Sequence, residues 1–165
     1  MKTWSARRDA CGLRFAIVVS RFNHLVSVRL LDGCVGELES RGASPGDLHI
    51  AWVPGAFEIP LAARALAATR RYAGIVTLGS VIRGGTPHFD YVCRAVTDGV
   101  AAAMRETGVP IAFGVLTTDD VDQALARAGG SDGNKGVDAA LAALEMARLL
   151  PGLARPPDAD SEAGS

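Results

Sequence analysis

The chain has 165 residues, which is enough for one well-buried domain and too few for two ordinary ones. Hydrophobic residues make up 48% of it, and its 17 Lys and Arg residues nearly balance its 18 Asp and Glu residues, for a formal charge of −1. This balance gives no support to binding of nucleic acid or of an anionic membrane, so any bound anion must be held by a local site.

The cysteines and the start of the chain indicate a reducing compartment. Three cysteines, at wide spacing, form neither a C-x-x-C pair nor a metal-binding pattern, so we interpret them as free thiols in a reducing cytosol: Cys11, Cys34 and Cys93. Residues 1–12 have no clear periodicity and no apolar signal segment, and are predicted to form an N-terminal arm. No window has the length of a transmembrane helix, so a soluble cytoplasmic protein is expected.

The first strand and helix follow the arm. The apolar run at 13–19 predicts a buried strand, and Asn23 is a candidate cap for a helix that Gly42 ends. Glycines at positions 33 and 36 destabilise a helix interior relative to alanine, so Gly33 and Gly36 predict close packing of this helix against a neighbour. Its apolar stripe is predicted at helical spacing: Leu25, Val28, Leu31, Val35 and Leu38.

The same alternation continues through the middle of the chain. Residues 48–53 predict a second strand, and 59–69 predict an alanine-rich helix. A third strand is predicted at 74–82, followed by a helix to about Thr107. The run at 109–116 predicts a fourth strand, with Pro110 tolerated near its beginning.

The last part of the chain predicts two helices and a tail. A cap and first-turn acids at 117–120 predict a short helix that ends at 127–130. A final helix is predicted to end at Pro151, with an apolar stripe of Val137, Ala140, Leu141 and Leu144. The domain would then span 13–150, and residues 151–165, which are rich in Pro, Ala, Asp and Ser, would form a disordered tail.

Four alternations of strand and helix predict an α/β fold with a parallel sheet, right-handed crossovers and helices on both faces. Open parallel sheets bind ligands beyond the carboxyl ends of their strands, so the loops after the strands are the expected location of a site. Those loops hold two aromatic rings, a carboxylate, a glycine pair and a histidine: Phe22, Phe57, Glu58, Gly84, Gly85 and His88.

The loop after the third strand has the features of an anion site. Thr86 is predicted to be the N-cap of the following helix, with Pro87 at its first position. The two preceding glycines allow a ligand to approach the backbone closely, and unpaired N–H groups at a helix start favour an anion. His88 lies beside that point, so we hypothesise a phosphate pocket with an imidazole at its edge.

Several of these residues also have purely structural interpretations. Phe22 fits a hydrophobic staple, Glu58 suits the first turn of a helix, and Thr86 is explained by capping alone. Arg127 is favoured near a helix end, whereas Lys135 near a helix start is not, which indicates a functional role. The chain contains no P-loop motif, no dinucleotide fingerprint after the first strand and no metal-ligand spacing of histidines.

Taken together, five motifs resemble those of the lumazine synthases and occur in that family's order. They are SRFN at 20–23, VPGAFEIP at 53–60, GSVIRGGTPHFDYVC at 79–93, FGVLT at 113–117 and GNKG at 133–136. Each motif alone is weak, but the set covers roughly residues 13–150 and is highly specific. The resemblance implies an α/β, flavodoxin-like three-layer sandwich with a four-stranded parallel sheet flanked by helices on both faces.

The resemblance also implies a reaction of riboflavin biosynthesis, in which 5-amino-6-(D-ribitylamino)uracil condenses with 3,4-dihydroxy-2-butanone 4-phosphate without metal or organic cofactor. By position, His88 would transfer protons. The pyrimidine and its ribityl chain would be bound by Phe22, Ala56, Phe57, Glu58, Ser80, Val81, Ile82, Phe113 and Lys135, with Phe113 supplied by the neighbouring subunit. The phosphate would be held by Gly85, Thr86 and Arg127.

The implied partners are the two small-molecule substrates and further copies of the chain, since family members form homopentamers, decamers or sixty-subunit icosahedral shells. Ser131 stands where shell-forming members often carry Lys, so a pentamer is expected. Two alternatives remain open: a catalytically silent member that binds flavin or lumazine or forms a shell, and a related archaeal-type riboflavin synthase. The presence of His88, Arg127 and Lys135 argues against the first, and the complete loop at 84–88 argues against the second.

Overall fold

Four parallel strands form the central sheet, in the order β2-β1-β3-β4. In the computed structural model, which describes residues 1 and 3–154, the strands are β1 (Phe15–Ser20), β2 (Leu48–Val53), β3 (Gly74–Ile82) and β4 (Ile111–Thr118). The two central strands, β1 and β3, are almost entirely buried, as expected for a parallel sheet with both faces covered. The predicted flavodoxin-like α/β fold is therefore confirmed.

Helices cover both faces of the sheet. One face carries α1 (His24–Ser40), α4 (Val121–Ala126) and α5 (Lys135–Leu153), and the other carries α2 (Ile59–Ala68) and α3 (His88–Thr107). Successive residues of β1 point to opposite faces, so Ile17 packs in the first layer and Val18 in the second. A short antiparallel hairpin, β5 (Ala128–Gly130) with β6 (Gly133–Asn134), joins α4 to α5. No helix among the described residues is long and apolar enough to span a membrane.

The predicted bounds of β2 and β3 are confirmed, whereas β1 and β4 begin two residues later than predicted. At β1, the N–H of Leu13 donates to the carbonyl of Ala10 at 3.0 Å and is therefore used by a turn before the strand starts. At β4, Pro110 has no N–H to donate, and its carbonyl accepts from Ile75 at 2.8 Å. The turn at Ala10–Leu13 and the missing N–H of Pro110 therefore account for the later starts of β1 and β4.

The buried faces of α1 and α5 differ from the predicted stripes. On α1, Leu25 is 61% exposed, and the helix buries Val26, Ser27, Leu30, Leu31, Cys34 and Leu38. On α5, Val137 and Leu141 are only half-buried, and the helix buries Gly136, Ala139, Ala140, Ala143, Leu144 and Ala147. The predicted stripe residues Leu31, Leu38, Ala140 and Leu144 are buried, but on α5 the stripe misses a face made mostly of small residues.

Glycines allow α1 and α5 to pack closely. A Cβ atom at Gly136 would overlap the carbonyl group of Leu30, and one at Gly33 would overlap the side chain of Asn134. Asn134 fills this space, since its Nδ2 donates to a carbonyl of α1 at 2.9 Å and its Oδ1 accepts from Gly136 at 2.8 Å. The close packing predicted at Gly33 is confirmed, but that at Gly36 is wrong because no described atom lies within 4 Å of a Cβ placed there.

The described part of the N-terminal arm is held against two helices, although it forms neither helix nor strand. The guanidinium of Arg148 on α5 donates to the carbonyls of Asp9 and Cys11 at 2.8 and 2.7 Å. Ala10 is fully buried, and its N–H donates to the carbonyl of Arg41 after α1 at 2.8 Å. The arm therefore contributes directly to the core between α1 and α5.

The prediction that Pro151 ends α5 is wrong. The helix continues to Leu153, and the N–H of Ala154 donates to the carbonyl of Leu150 at 3.1 Å. Because Pro151 lies in the last turn, its missing N–H removes one helical bond without ending the helix. The rest of the predicted tail, 155–165, lies outside the described residues.

Candidate active site

The loops after β1, β2 and β3 meet at a groove of about 610 Å³, called the first groove here. It lies at the carboxyl ends of the strands, where the strand order reverses between β1 and β3. The structure brings most of the predicted site residues together in its lining: Phe22, Ala56, Phe57, Glu58, Ser80, Val81, Ile82, Thr86 and His88. Gly85, which is exposed, lies between two lining residues of the same loop.

Two aromatic rings stand exposed at this groove. Phe22 is 71% exposed and Phe57 is 63% exposed, so both rings have faces free for stacking. This exposure is not expected of the alternative in which Phe22 packs as a hydrophobic staple. The N–H of Phe22 donates to the carbonyl of Pro54 at 3.1 Å, which joins the loops that carry the two rings.

Asn23 links the loops after β1 and β3. It precedes α1 in the left-handed conformation, with φ 57°, which Asn adopts more readily than most residues. It is the N-cap residue of α1, as predicted, but its side chain makes no capping bond. Instead Nδ2 donates to the carbonyl of Ser80 at 2.8 Å, which fixes the two sides of the first groove relative to each other.

Glu58 has a structural contact and retains capacity for a ligand. Its Oε2 accepts from the N–H of Gly55 at 2.9 Å and closes the short 3-10 turn at Ala56–Glu58. A carboxylate has about four acceptor positions, so this contact leaves others for hydroxyl groups in the groove. The side chain is exposed.

The hydroxyl of Ser80 is buried at the groove. Ser80 is 2% exposed, and its Oγ and that of Ser20 are the buried side-chain polar atoms that lack a hydrogen-bond partner within the described part of the chain. A buried hydroxyl left unpaired costs about 1–3 kcal/mol. Ser80 therefore brings an unused donor and acceptor to the carboxyl end of β3.

The loop between β3 and α3 is open. The helix begins at His88 with Pro87 as its N-cap, so the prediction of Thr86 as the N-cap is off by one residue. No described side chain caps this end, which leaves first-turn N–H groups other than that of Asp90 available to an anion. A Cβ added at Gly84 or Gly85 would meet no described atom within 4 Å. There is therefore space for a ligand beside Gly84 and Gly85.

Arg83, which was not among the predicted site residues, lies at the start of the same loop. Its Nε donates to Oδ1 of Asp119 at 2.9 Å, and its Nη1 lies 3.4 Å from Oδ1 of Asp90. Its guanidinium carbon lies 4.2 Å from the centroid of the Phe89 ring. The hydrogen bond to Asp119 raises the pKa of Arg83, which keeps the guanidinium charged.

The remaining predicted residues lie elsewhere. Phe113, Arg127 and Lys135 line a second groove, of about 460 Å³, beside β4 and α5. Arg127 pairs with Asp132 at 3.3 Å, and Lys135 pairs with Asp138 at 2.7 Å. The second pair lies at i and i+3 on α5 and offsets the unfavourable position of Lys135 at the helix start. One chain therefore does not bring these three residues together with those of the first groove.

The cysteines are not part of either groove. Cys11, Cys34 and Cys93 are free thiols, and burial raises the pKa of Cys34 to about 12. In the described part of the chain, no group of three His, Cys, Asp or Glu residues is arranged to hold a metal ion. The first groove offers the chemistry of an imidazole, a carboxylate, hydroxyls and backbone N–H groups.

A comparison with protein families gives a match over most of the chain. A family model described as 6,7-dimethyl-8-ribityllumazine synthase matches residues 12–151. The match covers the whole central sheet and every residue that lines the two grooves. The resemblance inferred from the motifs is thereby confirmed.

Proposed function

Since the chain belongs to the 6,7-dimethyl-8-ribityllumazine synthase family, we propose that it condenses 5-amino-6-(D-ribitylamino)uracil with 3,4-dihydroxy-2-butanone 4-phosphate. The reaction releases phosphate and water, and makes the protein a cofactor-independent transferase of riboflavin biosynthesis. One observation carries the proposal: exposed aromatic rings, a carboxylate and an imidazole share a groove with an uncapped helix start. A pyrimidine, a ribityl chain and a phosphate require contacts of these kinds.

The proposed binding mode assigns each part of the groove to one part of the substrates. The ring of Phe22 stacks on the pyrimidine, since an exposed aromatic face suits a planar heterocycle. Glu58 accepts hydrogen bonds from ribityl hydroxyls, and Ser80 contributes its unpaired hydroxyl nearby. Backbone N–H groups near Gly85 and Thr86 bind the phosphate, as at other helix starts.

His88 is the proposed proton-transfer residue. The amine of the pyrimidine attacks the ketone and forms an imine with loss of one water. A proton then leaves carbon as the C–O bond to phosphate breaks, and the resulting enol becomes a ketone. The nitrogen that carries the ribityl chain attacks this ketone and closes the ring with loss of a second water. Each step moves protons, and no oxidant or reductant is needed. An imidazole can donate and accept protons near neutral pH, and His88 lines the groove two residues after Thr86 of the phosphate loop.

Replacing His88 with alanine is expected to lower kcat about a hundredfold, at the lower end of the usual range for loss of a general acid–base group. The side chain is exposed, so the fold should not change. Steady-state kinetics of the variant and the wild type across pH 5–9 would test this. Near-full activity with an unchanged pH–rate profile would show instead that the site only positions two reactive substrates.

We further propose that a complete site forms between two copies of the chain. The first groove of one copy would face the second groove of the next, so that Phe113, Arg127 and Lys135 reach the substrates from the neighbour. Such a head-to-tail contact forms a closed ring when the rotation that relates neighbouring copies divides a full turn evenly. A homopentamer is expected, with decamers and sixty-subunit shells as further assemblies, and light scattering on the purified protein would measure the state.

The enzyme activity can be tested directly. The full chain is mixed with both substrates, and the fluorescence of the lumazine product is followed over time. The control reaction contains heat-inactivated protein and measures the spontaneous condensation. No product above that control would overturn the proposed reaction and favour a silent binding or shell-forming member. Formation of riboflavin from added lumazine would favour the riboflavin synthase alternative.

A further inference from the structure

We propose that Arg83 is a positioning residue that sets the geometry between the phosphate loop, Gly84–Thr86, and His88. It does so by connecting the end of β3 to the first turn of α3. The inference rests on the proposed function, because it concerns the phosphate side of the same groove. Arg83 would act by holding the loop in position, without contacting the substrate itself.

The contacts of Arg83 reach β4, the residue after β4 and α3. Its backbone N–H donates to the carbonyl of Thr118 at 2.9 Å, which extends the pairing of β3 with β4 by one residue. Its guanidinium binds Asp119, directly after β4, at 2.9 Å. The same group contacts Asp90 at 3.4 Å and lies 4.2 Å from the ring centroid of Phe89, both in the first turn of α3. One side chain therefore joins the sheet to the helix that carries His88.

The loop between these anchors has little else to hold it. Gly84 and Gly85 are exposed, and positions for a Cβ on either have no described neighbour within 4 Å. Glycine is also the residue with the greatest backbone freedom, so packing and torsional preference leave the path of the loop weakly determined. The path then depends on where its two ends are fixed. Arg83 is at one end and contacts the two residues that follow His88 at the other.

Loss of the Arg83 contacts is expected to change the geometry of the phosphate loop rather than the stability of the fold. The side chains of Arg83, Asp90 and Asp119 are 46%, 63% and 68% exposed, and exposed ion pairs contribute little to folding. Arginine can bind two carboxylates and lie over a ring because its guanidinium is planar with several donors, whereas lysine carries a single compact charge. Misplacement of a binding group by a small distance, in contrast, can lower function by orders of magnitude.

The test compares Arg83→Ala with Arg64→Ala, using inorganic phosphate as the probe and the full chain in its native assembly. Arg64 forms a similarly exposed pair, with Glu106 at 2.6 Å, away from both grooves. Calorimetric titration should show phosphate binding roughly tenfold weaker in Arg83→Ala and unchanged in Arg64→Ala. The KM of the phosphate substrate should rise in Arg83→Ala, while the KM of the pyrimidine and the denaturation midpoint stay as in the wild type.

A second variant separates positioning from simple charge attraction. Asp119→Ala removes a negative charge near the loop, so charge alone would make phosphate bind more tightly. Positioning by Arg83 predicts weaker phosphate binding instead, because the guanidinium loses its contact with Asp119 at the end of β4. The double variant should then bind phosphate no more weakly than Arg83→Ala, since both substitutions disrupt the same unit.

The outcomes distinguish this inference from the proposed function. Tighter phosphate binding by Asp119→Ala, or wild-type binding by Arg83→Ala, would overturn the positioning role and leave the reaction proposal standing. Dependence of phosphate binding on Arg83 in a protein that makes no lumazine would support the positioning role and overturn the reaction. A wild-type chain that binds no phosphate would overturn both.

Discussion

Replacement of Arg127 with alanine is expected to lower kcat/KM for the phosphate substrate about a thousandfold, the largest loss for any single site residue. A guanidinium binds phosphate through charge-assisted, often bidentate hydrogen bonds. Truncating one partner of such a pair costs about 2–5 kcal/mol, and about 4 kcal/mol corresponds to a thousandfold. Steady-state kinetics of Arg127→Ala beside His88→Ala would show whether phosphate binding or proton transfer dominates. A smaller loss for Arg127→Ala than for His88→Ala would contradict this ranking.

The two variants also test where Arg127 acts. Because His88 lines the first groove and Arg127 the second, mixing unfolded His88→Ala and Arg127→Ala chains and refolding them together should restore activity. In a ring with random order, about a quarter of the sites between copies would pair an intact first groove with an intact second groove. Each variant refolded alone is the control. No recovery in the mixture, with assembly preserved, would place both residues in the site of a single chain.

Replacement of Gly136 with alanine is expected to lower the free energy of unfolding by about 2–4 kcal/mol, the upper range for an overpacked core position. A Cβ at this position would overlap the carbonyl group of Leu30, which is backbone and cannot rotate away. The shift of α5 would also disturb Asn134 and the neighbouring Lys135. Chemical denaturation at fixed protein concentration would measure the loss, because assembly makes apparent stability depend on concentration.

Gly36→Ala is the matched control for that substitution. Gly36 lies inside α1, with no described atom within 4 Å of a Cβ, so alanine should stabilise the helix by about 0.5–1 kcal/mol. The two variants make the same chemical change on two helices that pack together, but they should shift stability in opposite directions. Similar destabilisation by both variants would contradict this explanation, in which contact with Leu30 lowers stability at Gly136 and helix propensity raises it at Gly36.

The strands and the first groove could be predicted because their signals are local. β2 and β3 are apolar runs bounded by turn residues, and their predicted bounds are confirmed. Residues after successive parallel strands meet at one edge of the sheet, so topology alone places Phe22, Glu58 and His88 near one another. The structure gathers all three in the first groove. Family motifs added roles for these residues, which remain predictions.

Other features depend on contacts between distant parts of the chain. The amide of Asn23 caps nothing and binds Ser80 instead, a partner 57 residues away. The buried faces of α1 and α5 follow from close contact at Gly33 and Gly136, which a stripe of large residues does not reveal. The β5–β6 hairpin is too short and too rich in glycine to produce an alternating pattern. No periodicity in the sequence indicated that Arg127 lies apart from the first groove.

The small-residue face of α5 has a consequence for the entropy of folding. Five of its six buried residues are glycine or alanine, whose side chains lose essentially no rotamer freedom on burial. The helix therefore docks without the ordering penalty that leucine, methionine or lysine would carry, but it also removes little apolar surface from water. Its attachment depends on dispersion forces at short range, which fall steeply with distance. Such a contact loses much of its strength when the two helices separate by a fraction of an ångström.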